Sequence, residues 1–169
     1  MNAKDLKKEL EYKNKSAFDS ITEDELERSF AYAESYKLFL DNAKTEREAV
    51  KYAVAMAKRK GYTEYSFGDE LSEGGKYYYN NRGKQLVIFK IGEESLEKGA
   101  YIMAAHIDSP RLDLKQNPLY EDSGFGMFKT HYYGGIKKYQ WVALPMAMHG
   151  VIAKKDGTVV NVTIGEDED

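Results

Sequence analysis

The sequence has no cysteine, three prolines and one tryptophan among its 169 residues. Without cysteine there are no disulfides, thiolate nucleophiles or cysteine-ligated zinc sites, so any metal must be held by His, Asp or Glu. No run of about 18 apolar residues occurs, so no helical membrane span is expected. The first ten residues, MNAKDLKKEL, are charged and amphipathic and have no apolar centre, unlike a secretory leader. Excess positive charge is also missing. The 25 basic and 28 acidic side chains leave a formal charge of -3, which gives no basic face for nucleic acid. These absences suggest a cytoplasmic chain with no membrane or nucleic-acid partner.

What is present divides into a first third and a longer remainder. The first is helical in pattern. Lys4 to about Lys13 forms a short charged helix. A second helix starts at Thr22, where Thr22-Glu23-Asp24-Glu25 fits a capping box. Leu26, Phe30, Ala33, Tyr36 and Leu40 then recur at helical spacing. A third starts at Thr45, where Thr45-Glu46-Arg47-Glu48 repeats the box. Its apolar face is Ala49, Val50, Ala53, Val54 and Ala57, and it stops at Gly61 after the basic turn Lys58-Arg59-Lys60.

Strand patterns follow. Tyr62 to Phe67 reads as one strand. Lys76 to Asn80 and Gln85 to Lys90 flank the turn Asn81-Arg82-Gly83 as a hairpin. The short apolar run Ala100 to Ala105 suits a strand buried on both faces of an α/β sheet. Beyond Pro110, alternation in Arg111 to Lys115 continues through Phe125 to Tyr133, Trp141 to Leu144, Met148 to Lys154 and Thr158 to Ile164. This implies antiparallel β structure, a small barrel or sandwich. The boundary falls near residues 110–118, giving a first domain over 1–112 and a second over 113–169. The 14 tyrosines suit strand packing, with an assembly surface as the alternative. The acidic run Glu166 to Asp169 reads as a solvated end or the stump of a loop.

The chemistry-bearing stretch is Ala105-His106-Ile107-Asp108-Ser109-Pro110. Ligands gather at the carboxyl ends of strands in open α/β sheets, and His106 lies at such an end. On an extended chain His106 and Asp108 face the same way, which suits a metal-bound imidazole steadied by a carboxylate. A lone His-x-Asp is short, and by itself reads as a capped turn after a strand. His131 and His149 read as ordinary strand residues. Joining them to His106 and Asp108 would be possible in principle, but their spacing shows no convergence.

Tyr101 to Pro110, followed by Arg111-Leu112-Asp113-Leu114-Lys115, resembles the aspartyl aminopeptidase family. So do Tyr133-Gly134-Gly135, Trp141 and Met148-His149-Gly150-Val151-Ile152, more loosely. The resemblance implies the N-terminal part of an α/β aminopeptidase catalytic domain, followed by part of an inserted antiparallel β domain that builds homo-oligomers. It further implies two zinc ions in the full-length family, peptide substrates, His106 as a zinc ligand, and Asp108 as the catalytic aspartate beside it. The family's remaining donors come later in its longer chains, and nothing after Ile152 corresponds to them. The segment Ile136 to Pro145 lacks the family's Asp-Arg pair, so the resemblance does not carry over a preference for acidic residues and leaves the preferred residue open. The 169 residues alone are expected to be inactive. The alternative is a non-catalytic assembly or regulatory module of the same fold.

Overall fold

The computed structural model describes residues 2–166. Its contacts separate a unit ending at Leu38 from one that starts at Phe39. The first holds α1 (Ala3–Leu10), a 3-10 turn (Ala17–Asp19) and most of α2 (Glu23–Asp41). Asn2 caps α1 by accepting from the Lys4 and Asp5 amides. At the head of α2 the Thr22 amide donates to Glu25 at 2.8 Å, and the Glu25 amide donates to Thr22 Oγ1 at 3.3 Å. The expected capping box is therefore present. Neither helix buries a residue, and Phe30, Tyr36 and Leu40 on the stripe of α2 are solvent-exposed.

In the second unit, α3 (Glu46–Arg59) starts with the Thr45/Glu48 box. Its end is a Schellman motif: the Gly61 amide donates to the Lys58 carbonyl, the Tyr62 amide donates to the Ala57 carbonyl, and Gly61 sits at φ +79. A three-stranded sheet packs on this helix. Its strands are β1 (Thr63–Glu64), β2 (Lys76–Asn81) and β3 (Gln85–Lys90), with β1 parallel and β3 antiparallel to β2. The core of the unit is Ala43, Ala49, Val50, Ala57 and Tyr78, and the Tyr78 hydroxyl donates to Glu64 at 3.2 Å. Alternation puts Tyr77 and Tyr79 on the opposite face of β2. There they join Tyr65, Phe67 and Phe89 in edge-on and stacked ring contacts. The β2–β3 turn places both Arg82 and Gly83 at positive φ, as a hairpin of primed type requires.

Two antiparallel ribbons follow. The first pairs β4 (Arg111–Asp122) with β5 (Phe125–Tyr133) around Ser123-Gly124, both at positive φ. Its register slips between Leu114 and Leu119, where Asn117 turns left-handed and Pro118 lacks an amide to donate. A single helical turn, α4 (Lys138–Trp141), leads to the second ribbon of β6 (Met148–Ala153) and β7 (Val159–Ile164).

Helices followed by a small sheet and antiparallel ribbons match the expected α/β class. Four local readings are corrected. Ala100 to Ala105 forms no strand, and Tyr101, Ile102 and Met103 are all exposed. A doubly buried strand needs neighbours on each edge and cover on each face, and no described residue supplies them. Tyr62 to Phe67 shrinks to Thr63–Glu64, because Asp69 captures the Ser66 amide at 2.7 Å in a local turn. Trp141 to Leu144 belongs to a helical turn and its exit, with no strand partner among the described residues. Finally, the β ribbons form separate two-stranded sheets and close no barrel or sandwich among the described residues. Of the acidic end, residues 167–169 lie outside the described residues.

Candidate functional site

His106 lies in the irregular segment leading into β4, with its side chain 81% exposed. Its Nδ1 is 2.8 Å from the main-chain carbonyl of Asp108. A carbonyl can only accept, so in the neutral ring Nδ1 carries the proton and Nε2 keeps its lone pair. A carboxylate oxygen of Asp108 lies 3.3 Å from the same Nδ1. The ring is thus gripped from one side by both the backbone and the side chain of Asp108, and its free nitrogen points the other way.

Asp108 is held in turn. The Tyr133 hydroxyl donates to its second carboxylate oxygen at 3.0 Å. That bond, more than any other influence, keeps the Asp108 carboxyl below its ordinary value, and the charge of His106 adds to the effect. The same bond raises the Tyr133 phenol, because ionising it would put two negative oxygens together. Antiparallel pairing places Tyr133 opposite Arg111, at the open end of the first ribbon. The Arg111 guanidinium stacks 4.1 Å over the Tyr133 ring and donates through Nε to Asp113 at 2.7 Å. Next in the chain, Gly134 sits at φ +76 with its backbone against Pro110. The Tyr-Gly-Gly block and the His-x-Asp-Ser-Pro block therefore meet, although 25 residues separate Asp108 from Tyr133.

The other two histidines stand apart from this cluster. His131 lies 3.9 Å from Asp113 and is about half exposed. His149 is mostly buried, held between Glu48 and Glu166. Among the described residues no group of three His, Asp or Glu side chains converges as a metal site. Catalytic zinc takes three protein ligands plus a water, so the residues of this chain do not by themselves fit the ion. His106 can offer one donor, through Nε2.

Sequence reading singled out His106 and Asp108 but missed Tyr133, Glu48 and Glu166 as partners. The ribbon register that brings Tyr133 to Asp108 leaves no local signature, and neither does the bond that joins His149 on β6 to Glu48 on α3.

Residues 39–168 match the family described as Aminopeptidase I zinc metalloprotease (M18). A "Probable M18 family aminopeptidase 1" from Clostridium acetobutylicum is 56% identical over 162 residues, covering 94% of this chain and 34% of that protein. The crystal structure of Aminopeptidase I from Borrelia burgdorferi B31 superposes with a TM-score of 0.85 at 37% identity, covering 92% of this chain and 38% of that one. A dodecamer structure of mApe1 from S. cerevisiae, at 21% identity and TM-score 0.69, shares the fold over 80% of this chain and 34% of its own. The fold and the matched segment together define a zinc metalloprotease class. The chain belongs to the M18 aminopeptidase family, and it spans about a third of the length of the relatives it matches.

Proposed function

We propose that this chain is the N-terminal segment of a zinc-dependent aminopeptidase that removes N-terminal residues from peptides. In this reading, residues 1–112 begin the catalytic α/β domain and residues 113–169 form part of an inserted β domain. His106 supplies one zinc ligand through Nε2. Asp108 acts through His106, holding the ring by Nδ1, and Tyr133 steadies Asp108. The remaining donors of a two-zinc centre come from polypeptide beyond these residues. The observation that carries the reading is the His106 ring, held by one nitrogen and open at the other, inside a segment matched to a zinc metalloprotease family.

The β domain is read as a homo-oligomer surface in the cytoplasm. Support comes from the ribbons, whose Leu119, Phe125, Ile152 and Val159 lie exposed, and from the dodecameric yeast relative of the same fold.

The test is hydrolysis of a panel of aminoacyl-nitroanilides by a chain extended to the length of the relatives, with and without zinc. Zinc-dependent activity is expected, and His106→Ala should abolish it by removing a metal ligand. Activity that survives His106→Ala unchanged would refute the assignment of that residue. No turnover of any aminoacyl substrate would refute the enzyme reading itself.

A further inference from the structure

His149 lies outside the His106 site, and its ring uses both nitrogens. Nδ1 is 2.9 Å from an oxygen of Glu48, and Nε2 is 2.9 Å from an oxygen of Glu166. Ionised carboxylates accept hydrogen bonds and cannot donate them. Two short contacts of this kind require a proton on each nitrogen, so the bound form is the imidazolium. The His149 side chain is only 12% exposed, whereas Glu48 and Glu166 keep 33% and 43% of theirs open to water.

The three residues come from separate elements. Glu48 stands in the first turn of α3, where it also accepts from the Thr45 amide at 2.9 Å. His149 is on β6, and Glu166 follows β7. No residue of the β6–β7 ribbon is fully buried, and its apolar side chains are half-buried or exposed. The ion-paired ring gives it a direct bond to the helix.

We propose that Glu48, His149 and Glu166 form a proton-operated clasp. With both ring nitrogens protonated, the β6–β7 ribbon is held to the start of α3. When one proton leaves to solvent on the alkaline side, a nitrogen lone pair faces a carboxylate and the ribbon is released.

The ionisable groups facing the ring are Glu48 from α3 and Glu166 from beyond β7. Glu46, on the same helix, is engaged with Lys84 at 3.4 Å. Burial is the largest single influence on His149 and disfavours its charge, but the two glutamates together outweigh it and leave the group raised above its ordinary value. The inference does not depend on the aminopeptidase reading.

The test uses the 169-residue chain labelled with 15N. Ring nitrogens of His149 and amide exchange in Met148–Ala153 are followed across pH. His149 should titrate above 6.5, the ordinary histidine value. Through that same transition, ribbon exchange should quicken by roughly tenfold beyond the intrinsic base-catalysed rise, the order expected for losing one charge-assisted hydrogen bond. In Glu166→Gln the amide can donate to an unprotonated Nε2 as well as accept from a protonated one. The ribbon should then stay docked and the pH step should disappear. Titration of His149 at or below 6.5 would overturn the clasp. So would ribbon exchange with no pH step in the wild type, or a step of unchanged size in Glu166→Gln.

Discussion

The His106 segment is organised by one aspartate that serves two neighbours. Asp108 grips the histidine ring through its carbonyl and accepts the Tyr133 hydroxyl on its side chain. The second contact has a signature that can be read at Tyr133. Donation to an anion holds the phenol above its ordinary value of 10.0. Asp108→Asn removes the anion, so the Tyr133 titration should fall back toward 10.0, measured by 13C NMR of the ring carbon bearing the hydroxyl. An unchanged titration in this variant would mean the bond does not persist in solution. Both groups are well exposed, so little change in thermal stability should accompany the shift. Of this arrangement, His106 and Asp108 were legible from their spacing on an extended chain. Tyr133 was not, because it reaches Asp108 only through the pairing of Arg111 with Tyr133 across the ribbon.

At the scale of elements, local chemistry set most boundaries. Both capping boxes form where Thr is followed three residues later by Glu, because each pair satisfies two amides that the helix cannot. The stop of α3 depends on Gly61. A Cβ there would meet nothing within 4 Å, so the demand is conformational and not steric crowding. Gly61→Ala should therefore cost about 1 kcal/mol through the left-handed backbone, measured by urea unfolding. A loss near zero would show that the helix end relaxes out of the Schellman geometry. The elements misread from sequence were those whose form depends on company. Ala100 to Ala105 has the composition of a buried strand, but a strand without neighbours leaves its amides and carbonyls unpaired and its side chains in water. Trp141 to Leu144 has strand-like residues, yet with no edge among the described residues to pair against, the preceding lysine turn closes into one helical turn.

For the molecule as a whole, burial is uneven. Among the described residues, the buried apolar side chains Ala43, Ala49, Val50, Ala57 and Tyr78 belong to the α3 layer and the residues around it. The ribbons rely on hydrogen-bonded pairing and on contacts such as the His149 clasp, since an isolated two-stranded ribbon is marginal in water. The clasp makes stability depend on pH in a definite direction. His149 is raised in the folded chain, so its contribution is complete below 6.5 and is lost as pH climbs through the folded value. Glu48 is lowered: burial, its largest single influence, is opposed and outweighed by bonds from His149 and Thr45. Its contribution is complete above 4.5 and is lost as pH falls through the folded value. The two together are complete between 4.5 and 6.5. In thermal unfolding across pH, the gap between wild type and His149→Gln should be widest inside that window and shrink on either side. A gap that keeps growing above the window would contradict a raised His149.

Helix starts and stops, the β2–β3 hairpin and the closeness of His106 to Asp108 were determined by the sequence itself. Each rests on residues within a few positions of one another, where spacing and backbone geometry suffice. The tertiary structure decided which strands found partners, that Tyr133 closes on Asp108, and that His149 lies between Glu48 and Glu166. The last two outcomes join residues 17 to 101 positions apart. They follow from strand register and from the packing of distant elements, which local pattern does not encode.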